Sequence, residues 1–293
     1  MKAAEQDRVP SVFEQGLKAA AVGHDPAVRR YNSGMAQVGK HIYIATRTFN
    51  PGTHRCDIEI NRIIIEAPGR CRPSHVATVD LPRATGMEQF EDGRLLHHRG
   101  RLYLAYTEGR YWRRPYVAVQ QLALFRKSSW EVEKVWTIGY GNNSVRSEKN
   151  WQFFSDGERL HFIYSISPHV VVSLDDEMRV TGEQVTTPTL HWEHGTLSGG
   201  TPPVPSKPAG DTYITFFHSY TPHAARSRRY TFSAYEFSAK PPYAIRRLTR
   251  PLIVASARDG TLPNPSEPRW LPIVVFPCGA ILDRAGNWLV SAG

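Results

Sequence analysis

The sequence predicts an all-β fold, a five-bladed β-propeller, and three observations carry that expectation. One short pattern, a polar cluster followed by a turn and an aromatic alternating strand, occurs five times. Its copies begin at Tyr31, Glu91, Glu148, Gly199 and Phe276, roughly 50 to 80 residues apart, a spacing that suits blades of a few strands each. The 22 Gly and 22 Pro are spread along the chain as turns between many strands require, and no helical periodicity persists after residue 30. A propeller brings equivalent positions of its blades to one central funnel, so the five clusters are expected to converge.

Taken in order, residues 1–30 read as an Ala-rich, partly helical or irregular lead-in, one of two candidates for closing the ring, and 31–293 as the propeller. Regular strands are expected from near Gln37. HIYIATRTF alternates, and CDIEINRIIIEA reads as a further strand pair. Thr78 to Phe90 reads as a connection into the second cluster. RLYLAYTEG, YVAVQQLALF and WEVEKVWTI follow as antiparallel strands, then RLHFIYSIS and HVVVSLD. DTYITFFHSY, an Arg- and His-rich loop and RYTFSAYEF form the fourth unit; VVFPCG and NWLVSAG form the fifth. Closure is expected either from residues near the N-terminus or from a tail beyond Gly293.

Composition narrows the function. No apolar run is long enough to span a membrane, and the N-terminus lacks the apolar core of a signal peptide. Cys56, Cys71 and Cys278 have no metal-type spacing and read as reduced thiols, which points to the cytoplasm. The net charge is +9, but the basic residues are scattered apart from groups at Arg110–Arg114 and Arg226–Arg229, so nucleic acid is not the expected partner. An anionic substrate steered by the field fits better. Neither CxxC nor HExxH is present, nor a P-loop or dinucleotide fingerprint, so neither a metal nor an organic cofactor is expected. The oligomeric state is not readable.

Three clusters permit chemistry. Glu91-Asp92-Gly93-Arg94 sets two carboxylates beside a guanidinium, a setting that tunes a proton-transfer group; the plain alternative is a hairpin turn with an ion pair. Glu148-Lys149-Asn150-Trp151 offers an acceptor, a cation, an amide and an aromatic plate, against the alternative of a strand start with a buried Trp. Ser198-Gly199-Gly200-Thr201 gives a backbone that a ligand approaches closely. His218 closes the FFHS strand and reads as structural or as a site residue.

The order EDGR, EKNW, GGTPP, FFHS and VVFPCG resembles glycoside hydrolase family 130, the β-mannoside phosphorylases and hydrolases, with their related mannosyltransferase-like proteins, over residues 31 to 293. The resemblance implies a five-bladed propeller with Asp92 as proton donor to the glycosidic oxygen and Arg94 lining the site beside it. It implies phosphate held by Lys149 and His218. The sugar site would be formed by Asn32, Arg47, Glu91, Glu148, Asn150, Trp151, Gly200 and Thr201. Inorganic phosphate would be a co-substrate, and an oligosaccharide or sugar phosphate the partner. Two departures stand out. Gly93 replaces the usual Pro of the family's E-D-P-R, and Gly293 is the last residue where the family continues to an acidic sugar-site residue.

The expected activity is inverting phosphorolysis or hydrolysis of β-mannosides or similar glycosides. Inverting hydrolysis needs a second carboxylate as base, for which Glu148 is a candidate, whereas phosphorolysis does not. The alternatives are a glycosyltransferase of surface-polysaccharide synthesis, with Asp92 as base, and a non-catalytic carbohydrate-binding propeller. Arabinanase- or invertase-like propellers expect an early Asp that YNSGM lacks.

Overall fold

The computed structural model describes residues 29–53, 55–67, 70–82, 89–110, 117–140, 149–187, 191–207, 210–224, 227–254, 275–283 and 285–293. These are strands and turns, with no helix among them. The first antiparallel group is β1 (Arg29–Val38), β2 (His41–Asn50), β3 (Arg55–Ala67) and β4 (Arg70–Thr78). The second is β5 (Gln89–His98), β6 (Arg101–Arg110), β7 (Val117–Phe125) and β8 (Val132–Thr137). A single parallel pair, Cys56 with Gln89, joins the two into one eight-stranded sheet. A four-stranded sheet follows, with β9 (Gln152–Ser155), β10 (Leu160–Ile166), β11 (His169–Leu174) and β12 (Val180–Thr186). Six strands form the next sheet: β13 (Thr196–Gly199), β14 (Val204–Pro205), β15 (Thr212–Ala224), β16 (Ser227–Ser238), β17 (Ile245–Leu248) and β18 (Ile253–Val254). The last pair is β19 (Pro277–Leu282) with β20 (Trp288–Ala292).

Two expectations are corrected. Among the described residues, strand structure begins at Arg29, not near Gln37. CDIEINRIIIEA is not a hairpin: Arg55–Ala67 is one continuous 13-residue strand. Its partner is β4, where RCRPSHVAT carries a Pro and no clean alternation. Pro73 is tolerated on this strand, which pairs only with β3 among the described residues. The EDGR cluster lies within β5, not at the hairpin turn of the plain alternative. Lead-in residues 1–28, Glu148, Arg113, Arg114 and Arg226 lie outside the described residues.

Burial grades across each group. β5 is buried at every residue but His97, whereas β12 is exposed along almost its whole length. Five apolar clusters lie between successive groups. Ala45, Ile58 and Ile60 meet Phe90, Leu104 and Tyr106. Leu122 and Leu124 meet Trp151 and Phe162. Phe154 and Val171 meet Phe217 and Phe237. Phe216 and Phe232 meet Val275 and Ala280. The fifth returns to the start: Ile281 packs on Met35 and Ile44. Alternating aromatic and β-branched residues supply both faces of each sheet, which is why the pattern reads so clearly in the sequence.

A polar lock ties the β9–β10 turn to β11. Asp156 Oδ1 accepts from the backbone N–H groups of Glu158 and Arg159 at 2.8 and 2.7 Å. Asp156 Oδ2 lies 2.9 Å from His161 Nε2, and His161 Nδ1 lies 3.0 Å from Ser173 Oγ. Burial alone would push the Asp156 carboxyl up, but hydrogen bonds from Arg159, His161 and Glu158 outweigh it and hold the carboxyl low. A depressed folded-state pKa stabilises above the unfolded carboxyl's range and is lost as pH falls through the folded value. Asp156→Ala is therefore expected to cost about 0.5–1.5 kcal/mol near neutral pH, since the carboxylate is exposed and partly screened by water, and denaturant titrations should show the difference from wild type shrinking on acidification. A difference independent of pH would remove the carboxylate from this role.

Candidate functional site

The site grows from a backbone feature repeated three times, on β1, on β5 and just before β9. Asn32, Asp92 and Asn150 have φ of 45°, 53° and 65°, in the left-handed region where Asn and Asp are the non-Gly residues most at ease. At Asn32 and Asp92 the register slips, between Tyr31 and Gly34 and between Glu91 and Arg94. Such bulges re-aim side chains without ending the strand. The two are brought together: Asn32 Nδ2 donates to Asp92 Oδ1 at 2.6 Å, across 60 residues of sequence.

Small residues permit that approach. A Cβ on Gly34 would lie 2.1 Å from the Gly93 carbonyl oxygen, and one on Gly279 would lie 2.0 Å from Met35 N. Gly93 is itself hemmed in by Ile58 and Leu104 side-chain carbons at 3.1 and 3.2 Å from its own would-be Cβ.

Around Asp92 the charges are mostly positive. Arg94 is 1% exposed; its Nε donates to the Gly200 carbonyl at 2.5 Å and its Nη1 to the Asp92 carbonyl at 3.2 Å. The guanidinium carbon lies 5.6 Å from the centroid of the Phe276 ring. Arg47 Nη1 pairs with Glu91 Oε1 at 2.5 Å, and Arg47 Nε donates to Cys56 Sγ at 3.3 Å. Cys56 in turn donates to Gln89 Oε1 at 2.6 Å. Burial pushes the Asp92 carboxyl up, but Arg94, Lys149 and Arg47, with the Asn32 hydrogen bond, outweigh it and hold it below the usual carboxylate range. Asp92 is thus an ionised, buried carboxylate at neutral pH. For Arg47, burial opposes the charge, but Glu91, Cys56 and Asp92 win and raise its pKa, so it stays cationic.

His218 lies within β15, opposite Ser198 and Phe232, and is 3% exposed. Its ring stacks on Tyr230 at 5.5 Å and meets Phe276 edge-on at 4.4 Å. Burial first, then Arg94, pushes its pKa down to about 3, so it is a neutral hydrogen-bonding group and not a charge. Asn150 Nδ2 donates to Ser198 Oγ at 3.0 Å. Arg94 Nη2, His218 Nδ1 and Asn150 Oδ1 are buried with no hydrogen-bond partner among the described residues, an arrangement that costs about 1–3 kcal/mol per group until something polar binds.

The other expected residues divide. Lys149 is exposed and close enough for its charge to act on Asp92. Gly200 serves the cluster through its carbonyl, which holds Arg94. Thr201 is fully buried, with its hydroxyl accepting from Phe216 N at 3.0 Å. Trp151 is not presented to the cluster: it is 1% exposed and stacks on Phe162 at 4.4 Å with the planes 5° apart. The apolar neighbours on β10 outcompete any role as an open sugar platform, so that expectation is corrected. Sequence reasoning missed Gln152, whose Nε2 donates to Thr201 O at 2.9 Å and Thr215 Oγ1 at 2.6 Å, and also Cys56, Tyr230 and Phe276. Phe276 stood in the quoted VVFPCG segment; Gln152 and Cys56 carried no local signal.

No protein-family model and no curated protein sequence matches the chain. Solved structures do. A β-1,2-mannobiose phosphorylase from Listeria innocua superposes with a TM-score of 0.53 at 14% identity, over 92% of this chain and 88% of that one. A GDP-Man-dependent mannosyltransferase from Leishmania mexicana gives 0.61 at 11%, over 94% and 84%. A mannose phosphorylase from the same organism, in complex with a phosphate ion, gives 0.55 at 11%, over 94% and 83%. At such identities the likeness is one of fold: this chain shares the all-β, propeller-like architecture of these proteins.

Proposed function

We propose that this chain is a carbohydrate-active enzyme on a five-bladed propeller. It would transfer a glycosyl unit, with inversion, between a β-linked mannoside or similar glycoside and phosphate. The cyclic order of the five apolar clusters supports the blade number, with β19 packed beside β1. The observation that carries the function is Asp92, a buried carboxylate held ionised by Arg94, Lys149 and Arg47. A buried titratable group perturbed by specific charge partners is a functional-site candidate.

The chemistry follows from the charges. Phosphate binds Lys149 and Arg94, and its P–OH donates to the unpartnered Nδ1 of neutral His218. Its negative charge cancels part of the field that keeps Asp92 ionised, so the carboxyl's proton affinity rises once phosphate is in place. A phosphate oxygen attacks the anomeric carbon from the face opposite the leaving group. Asp92 takes up a proton from the bound dihydrogen phosphate; as the glycosidic C–O bond breaks, the leaving oxygen takes that proton, which restores the carboxylate. The products are a sugar 1-phosphate and a shortened glycoside. In reverse, the carboxylate takes the proton of an acceptor hydroxyl. Glu91, the neighbouring carboxylate, is committed to Arg47, so it is poorly placed as the base that hydrolysis would need. Three free thiols, Cys56, Cys71 and Cys278, suit a cytoplasmic reaction.

A second reading, transfer from a nucleotide sugar, is favoured by the ionised state of Asp92 in the unliganded protein, which suits a base acting on an acceptor hydroxyl. Product analysis of β-linked manno-oligosaccharides, incubated with and without inorganic phosphate, separates these. Mannose 1-phosphate formed only with phosphate supports phosphorolysis. Free mannose in both conditions replaces it with hydrolysis, and no product in either sends the test to nucleotide-sugar donors. Lys149→Ala is expected to raise the KM for phosphate by about 10- to 100-fold, the worth of a charge-assisted hydrogen bond, with neutral-sugar binding little changed. Equal losses for both ligands would remove Lys149 from the phosphate site.

A further inference from the structure

Beyond His218, the β15–β16 hairpin leaves the core and carries a feature the reaction above does not use. Burial falls steadily along it. His218 and Phe232 are 3% exposed, Tyr220 and Tyr230 are half-buried, and Arg228 is exposed. Cross-strand pairing puts Tyr220 opposite Tyr230 and Pro222 opposite Arg228. By strand alternation His218, Tyr220, Arg228 and Tyr230 share one face of the hairpin.

On that face the rings form a continuous ladder out of the site. Arg94 lies over Phe276 at 5.6 Å, Phe276 meets His218 at 4.4 Å, and His218 stacks on Tyr230 at 5.5 Å. Tyr230 meets Tyr220 at 5.8 Å, and the Arg228 guanidinium lies over the Tyr220 ring at 4.3 Å. Arg228 has no carboxylate partner among the described residues. A guanidinium laid flat on an aromatic ring keeps its edge donors free and loses little further freedom when it binds a carboxylate or phosphate in bidentate fashion.

We propose that this hairpin end is an acceptor-side subsite for an anionic glycan unit. In it Arg228 holds a carboxylate or phosphate on the sugar chain, and the half-exposed edges of Tyr220 and Tyr230 line the path back to His218. Four strand residues separate the level of His218 from that of Arg228, about 13 Å at the usual rise. The recognised charge therefore lies some sugar units away from the bond that reacts. This inference rests on the glycosyl-transfer reading and adds to it the class of acceptor.

The test is calorimetric binding to the Asp92→Asn protein, so that turnover does not interfere. The probes are β-linked manno-oligosaccharides of increasing length, each either neutral or bearing at its far end a phosphate monoester or a carboxylate. Once the chain is long enough, the anionic probes are expected to bind about tenfold tighter than the neutral ones, with the gain shrinking at high salt. Whichever anion gains more identifies the natural charge. Arg228→Gln should abolish the preference, and Arg228→Lys should restore only part of it, because an ammonium lacks the planar fork. Equal affinity for neutral and anionic probes, or a preference that survives in Arg228→Gln, overturns the subsite while leaving the glycan reading in place. Failure of every probe to bind overturns both.

Discussion

Asp92→Asn is expected to lower turnover by about 10²- to 10⁴-fold, the usual contribution of one proton-transfer group, with the fold retained. The substitution is conservative for the backbone, since Asn is among the residues that accept the φ of 53° found there. The amide oxygen still accepts from Asn32 Nδ2, and Arg94 keeps its bonds to the carbonyls of Gly200 and residue 92. What disappears is the charge and the exchangeable proton. Taking an anion from beside Arg94, Lys149 and Arg47 is also expected to cost about 1–3 kcal/mol of stability, which a melting curve reads. The sign of that term is fixed. The folded-state pKa is depressed, so the carboxylate stabilises above the unfolded carboxyl's range and the contribution is lost as pH falls through the folded value. In the transfer direction the same titration sets the acidic limb of the rate profile, because a protonated Asp92 cannot take the acceptor's proton. Arg47→Gln should move that limb to higher pH by removing one of the cations that hold the carboxyl down. A wild-type rate in Asp92→Asn, measured on whichever substrate the product analysis identifies, would take Asp92 out of the mechanism.

What the sequence revealed, and what it hid, follows from the range of the interactions. β2, β6, β7 and β10 were legible because alternation and ring-rich composition are local properties of five to ten residues. β4 was hidden because its identity depends on β3 beside it, and RCRPSHVAT has no strand signal of its own. Asp92, Arg94 and Asn32 were legible as members of equivalent clusters, since a repeat carries equivalent positions to equivalent places. Their partners were not. The Asn32–Asp92 bond spans 60 residues and the Arg94–Gly200 bond 106, and no local rule pairs them. Trp151 was misjudged for the complementary reason: its plate was visible in the sequence, but Phe162, which stacks on it, comes from the next strand.

The glycines of the inner strands carry the other large effect. Gly34→Ala and Gly279→Ala are each expected to destabilise the protein by about 3 kcal/mol or more, the upper range for overpacking. In both cases the obstacle is backbone. A Cβ at 34 would sit 2.1 Å from the Gly93 oxygen and 2.7 Å from Arg94 Cα, and one at 279 would sit 2.0 Å from Met35 N. A flexible side chain would swing aside, but here whole strands must separate. At 279 the separation opens the contact of Ile281 with Met35 and Ile44, which packs the final strand pair on the first group. At 34 it pushes directly on Gly93 and Arg94, so the activity should fall together with the melting temperature. Gly182→Ala is the control: it lies on exposed β12 with no heavy atom within 4 Å of the added carbon, and its effect should stay within about 0.5 kcal/mol. Thermal and denaturant unfolding of the three variants decide the matter. If Gly34→Ala and Gly279→Ala prove as stable as Gly182→Ala, the inner strands do not approach as described, and the convergence of Asn32, Asp92 and Arg94 on one site fails with them.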